Sequence, residues 1–94
     1  MNILNIGYGN IVFTNRIVSV VSPESSPLRR LVQEAKDSKM AIDATHGSKT
    51  RSIIITDSGH IILSCIKLET IVARLENQVG DQKDEFEEET QNDG

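Results

Sequence analysis

Apolar residues along this chain fall into two rhythms. Short aliphatic, β-branched runs occur at Ile3-Leu4-Asn5-Ile6, Ile11-Val12-Phe13, Ile17 to Val21, Met40 to Ala44, Arg51 to Thr56 and His60 to Ile66. These read as strands. Thr14-Asn15-Arg16 interrupts the second and third runs, and a bend or hairpin near Asn15 follows. Two other stretches repeat at helical spacing. Leu28, Leu31, Val32 and Ala35 occupy i, i+3, i+4 and i+7, one stripe of an amphipathic helix. Leu68, Ile71, Val72, Leu75 and Val79 form a second stripe, which Gly80 ends.

Turn chemistry separates these elements. Gly7-Tyr8-Gly9-Asn10 joins the first two strands, and both glycines tolerate positive φ. Ser26 followed by Pro27 predicts an N-cap with proline in the first helical position. Asp57-Ser58-Gly59 makes residues 51–66 a β-hairpin. The order β-β(-β)-α-β-β-β-α predicts an α+β domain with a mostly antiparallel sheet and two amphipathic helices. In so small a domain the edge strands must be covered or paired, which favours an oligomer.

Charge divides the chain in two. Residues 81–94 hold seven acids and one base, and almost nothing apolar, so they are expected to be a disordered acidic tail. Residues 1–80 hold nine Lys/Arg against seven Asp/Glu, a body of +2 inside a chain of -4. A lone +2 domain is a weak polyanion binder, because affinity grows with the number of phosphates neutralised. Binding to DNA would require many copies. With Tyr8, Phe13 and Phe86 as the only Phe, Tyr or Trp residues, base stacking is poorly supported. Cys65 is the sole cysteine, which excludes an internal disulfide and suits a reducing cytoplasm. Its place in the run Ile61 to Ile66 predicts a buried, inert thiol. No signal peptide or membrane span is expected, because no apolar run nears the roughly 18 residues a span needs.

Candidate chemistry concentrates in Ala44-Thr45-His46-Gly47-Ser48-Lys49-Thr50-Arg51. Cations, hydroxyls and backbone N–H groups around a glycine are good phosphate ligands. The flanking runs read as strand, turn, strand, with the cations at the tip. Were the strand to begin by Lys49, Lys49 and Arg51 would share a face. The plain alternative is a solvated hairpin tip. Arg16 either snorkels, pairs with an acid or reaches for an anion. Arg29 and Arg30 stand at the unfavourable end of their helix for cations. An Arg30–Glu34 pair, neutralisation by Glu24, an inter-subunit bridge and phosphate binding are the alternatives there. Asp43 and Asp57 are either turn residues or partners of Lys49 and Arg51. His46 and His60 have no metal-ligand company, and Gly7-x-Gly9 lacks the third glycine of a dinucleotide fingerprint. No acid, base and nucleophile converge as an enzyme requires, so no catalytic residue, cofactor, metal or small-molecule substrate is expected.

Several segments in order, taken together, resemble the RemA family of bacterial extracellular-matrix regulators. They are Asn5-Ile6-Gly7-Tyr8-Gly9-Asn10-Ile11-Val12 with Asn15-Arg16, Ser22-Pro23-Glu24-Ser25-Ser26-Pro27, and Ile42-Asp43-Ala44-Thr45-His46-Gly47-Ser48-Lys49-Thr50-Arg51. The likeness continues through Asp57 to Ser64 and Glu69 to Leu75, covering about residues 1–76. The resemblance implies a cytoplasmic regulator that activates biofilm-matrix genes. It also implies a ring-shaped homo-oligomer presenting a repeated basic surface to double-stranded DNA. The family's DNA-associated arginines fall on Arg16 and on a basic pair after the loop glycine, here Ser48 and Lys49. Lysine keeps the charge and loses the bidentate fork. The expected DNA-contact set is therefore Arg16, Ser48, Lys49 and Arg51. The domain division is 1–80 for the oligomerising DNA-binding body and 81–94 for the tail. The competing reading is a structural oligomer that scaffolds other proteins without touching DNA.

Overall fold

A computed structural model describes residues 2–80. The expected disorder of 81–94 lies outside the described residues. Strands β1 (Ile3–Gly7) and β2 (Asn10–Phe13) form an antiparallel hairpin, with Ile3 opposite Phe13 and Asn5 opposite Ile11. The interruption after Phe13 is a single 3-10 turn, Thr14–Arg16, that feeds β3 (Ile17–Val21). Helix α1 (Ser26–Asp37), β4 (Ala41–Asp43), β5 (Ser52–Thr56), β6 (Ile61–Ser64) and α2 (Leu68–Gly80) complete the fold. The expected α+β class holds.

The larger sheet has the order β3-β5-β6-β4. Its β3–β5 and β5–β6 ladders are antiparallel, and β4 lies parallel to β6. The 51–66 hairpin is therefore present. The sheet is the middle layer of three. Ile53, Ile55, Ile61 and Leu63 share one face and pack with Ala35, Leu31 and Val32 of α1. Ile54 and Ile62 share the other, with Leu4, Ile6 and Val12 of the hairpin and Ile71 of α2. Burial on both faces explains why β5 and β6 read as continuous apolar runs rather than as alternating ones.

Two buried hydroxyls lock these layers. Ser64 Oγ donates to the Ile6 carbonyl at 2.9 Å and accepts from the Ile66 N–H at 3.1 Å. Ser52 Oγ donates to the Ile66 carbonyl at 2.8 Å. Ser64 thus ties the central strand to the hairpin across 58 residues of sequence.

Three local expectations shift. The N-cap of α1 is Ser25, which is extended and accepts from the Leu28 N–H at 3.3 Å. Ser26 is already helical, so Pro27 takes the second position, where its missing N–H still costs no helical bond. Cys65 is half-buried rather than fully buried, because it follows the last residue of β6 and packs at the margin of the core. The third concerns residues 44–51. They are not a hairpin tip, because β6 lies between β4 and β5.

Candidate nucleic-acid interface

The segment 44–51 is an arch that carries the chain past the end of β6. Both feet are anchored to that end. The Ala44 N–H donates to the Leu63 carbonyl at 2.9 Å and the Arg51 N–H to the Ser64 carbonyl at 2.8 Å. Asp43 Oδ1 accepts from the Thr45 N–H at 2.9 Å and from Thr45 Oγ1 at 2.6 Å. Those two bonds, the side-chain one first, hold the Asp43 carboxyl below its ordinary value, with Lys36 adding to the shift. Asp43 is thus a turn-former. The arch bends at His46 (φ 55°) and Gly47 (φ 86°), both left-handed.

A contact from far away in sequence braces the bend. The Tyr8 ring stacks on His46 with centroids 4.7 Å apart and planes 17° apart. Tyr8 Oη and Ser48 Oγ are 3.1 Å apart, with either as donor. Ser48 is therefore held by the turn of the β1–β2 hairpin, while the neighbouring Lys49 is exposed. Sequence reading offered no partner for Tyr8, since the contact depends on how the hairpin docks. Strand β5 starts at Ser52, so the ladder alternation that would put Lys49 and Arg51 on one face does not reach them. They converge through the arch instead.

Arg16 lies elsewhere. Its Nε donates to both Asp57 oxygens, at 2.9 and 3.0 Å, and both side chains are about half exposed. Asp57 follows β5 and Arg51 precedes it. Six residues of extended chain separate them, roughly 20 Å. One subunit therefore does not gather Arg16 with Ser48, Lys49 and Arg51. Asp57 is the partner of Arg16, not of Lys49 or Arg51.

Beside the arch is an open groove of about 690 Å³ that joins Lys49 and Arg51 to Arg29 and Lys67, with Glu24 and Glu69 on its walls. Arg29 Nη2 donates to the Glu24 carbonyl at 3.4 Å. The expected Arg30–Glu34 ion pair does not form. No side-chain hydrogen bond or ion pair to a described residue engages Lys49, Arg51 or Lys67. The groove holds four cations and two acids, so the other five cations and five acids of residues 1–80 cancel. The groove lining thus carries a net +2, equal in number to the net charge of residues 1–80. The sequence offered phosphate binding as one alternative at Arg29 but did not join it to the arch, and it did not single out Lys67, since the two lie 20 and 18 residues from Lys49. Among the described residues no cluster of His, Cys, Asp or Glu could hold a metal ion. No helix among them is long and apolar enough to cross a membrane.

Residues 3–75 match the family model described as RemA-like, extracellular matrix regulatory protein A-like. A Brevibacillus brevis protein is 53% identical over 85 residues, covering 90% of this chain and 98% of its own. A Halothermothrix orenii protein is 55% identical over 80 residues, covering 85% and 95%. One from Shouchella clausii is 56% identical over 75 residues, covering 80% and 86%. All three carry the name "Putative regulatory protein". The matched span runs from β1 into α2 and includes every residue that builds the arch and its brace, so the chain belongs to the RemA-like family.

Proposed function

We propose that this protein is a cytoplasmic, non-enzymatic transcriptional regulator that binds double-stranded DNA as a ring-shaped homo-oligomer. The observation that carries the reading is the gathering of four cations against two acids in the groove beside Lys49 and Arg51. A concentrated field attracts phosphates where a scattered one would not. Family membership and the relatives' names support a regulatory role. The family description, extracellular matrix regulatory protein A-like, supports matrix regulation, and biofilm-matrix genes are the targets that the family resemblance implies.

Multiplicity supplies the affinity that one subunit lacks. Each copy brings Lys49 and Arg51 at one end of β5 and Arg16 at the other, with Ser48 holding the arch. Repeated around a ring, these groups grip several stretches of backbone at once. Phosphate positioning and DNA bending then outweigh base readout. Exposed apolar residues offer surfaces for contact between copies. Ile3, Ile11 and Phe13 share the outer face of the β1–β2 hairpin, and Val18 and Ile42 lie on the two edge strands β3 and β4.

Lys49→Glu with Arg51→Glu tests the reading. Duplex binding, measured by fluorescence anisotropy, is expected to vanish while sedimentation shows the assembly intact. Loss of the assembly with the charges would instead favour a scaffold whose arch makes subunit contacts.

A further inference from the structure

The groove has features that a backbone-tracking surface alone does not require. Its four cations come from three separate places: Arg29 from the start of α1, Lys49 and Arg51 from the arch, and Lys67 from the residue before α2. Their convergence is built by the fold and not by a local run of bases. Residues at the N-termini of both helices line the concavity, and both helix dipoles add positive potential there. Its 690 Å³ lies in the range of small-ligand sites. Three of its four cations are without a described protein partner, and Arg29 is steadied only by a neutral carbonyl.

We infer that this groove is a binding site for a compact, multiply charged phosphate group, with Arg29, Lys49, Arg51 and Lys67 as its ligands. A single phosphate would use two of these cations. Four of them match a di- or triphosphate, on which each cation finds an oxygen of its own. Glu24 and Glu69 set the limit on affinity by repelling the same anion. The site needs only one subunit and does not depend on duplex binding. Its occupant would compete with DNA for Lys49 and Arg51.

Isothermal titration with inorganic tripolyphosphate tests this on the full-length protein. Saturable binding is expected, with affinity falling about tenfold or more in Arg29→Gln/Lys67→Gln, the loss of charge-assisted bonds. Glu24→Gln/Glu69→Gln is expected to bind more tightly, a gain that misfolding could not produce. Absence of saturable binding, or equal affinity in the wild type and Arg29→Gln/Lys67→Gln, overturns the site. Duplex titrations then name the source of the phosphate. A parallel fall in duplex affinity in Arg29→Gln/Lys67→Gln assigns it to the DNA backbone, and unchanged duplex affinity assigns it to a free phosphorylated molecule. Arg16→Ala is expected to weaken duplex binding and leave tripolyphosphate binding as it was. If tripolyphosphate binds and duplex never does, the DNA reading fails and the groove stands.

Discussion

Ser64 shows how much one polar atom can carry. It is fully buried in a central strand, and its hydroxyl serves both the Ile6 carbonyl and the Ile66 N–H. Removing it strands two backbone groups away from water. Ser64→Ala is therefore expected to destabilise the domain by about 1–3 kcal/mol, read as a lower thermal midpoint. A midpoint equal to wild type would mean that water or a shift of β1 satisfies those groups. Asp43 makes a pH-dependent contribution. Its folded pKa lies below the ordinary 3.8 because Thr45 donates two hydrogen bonds to the charged form. A depressed acid stabilises the fold fully above its unfolded pKa, and that share is lost as pH falls through the folded value. The stability gap between wild type and Asp43→Asn should be complete at neutral pH and shrink below about pH 4. A gap that stays constant in acid urea titrations would remove the arch carboxylate from the pH response.

Among elements, the arch is the one whose role changed most between sequence and structure. Its residue types were the ground for expecting phosphate contact, since cations and hydroxyls around a glycine are recognisable without coordinates. Its setting did not, because the strand–turn–strand reading assumed that consecutive strands pair. Parallel pairing of β4 with β6 turns the supposed tip into a crossover, held by Leu63 and Ser64 at its feet and by Tyr8 at its bend. Tyr8→Ala should free that bend. Amide hydrogen exchange at residues 46–48 is expected to accelerate while β5 and β6 stay protected, since a stacked ring pair contributes about 0.5–1.5 kcal/mol. Unchanged exchange would show that the two feet alone hold the arch. Both helices, in contrast, were legible to within one residue at the N-cap of α1, because helical spacing is a local property.

On the scale of the whole molecule, electrostatics decide. Residues 81–94 reverse the sign of the chain, from +2 for residues 1–80 to -4 in all. If the proposed duplex binding holds, truncation after Gly80 should tighten it at low salt, and the advantage should fade as salt screens the tail. Equal affinity for both forms would mean that the acidic residues do not act on the basic groove. The binding itself should fall steeply with salt, with a log–log slope of about 0.9 per phosphate contacted. A flat salt response would sink the backbone-contact mechanism, whatever the oligomer.

Taken alone, the sequence determined the local elements. Period and turn chemistry place two helices and five or six strands, and the α+β class follows from their order. Ordered motifs from Asn5 to Leu75 also carried the family resemblance. Only the tertiary structure decided which charges meet. It moved Asp57 to Arg16, separated Arg16 from the arch by the length of β5, and brought Arg29 and Lys67 to Lys49 and Arg51. The physical reason is range. Helix and strand periodicity act over a few residues of chain, whereas a groove collects side chains through strand order and layer packing, which no local spacing encodes.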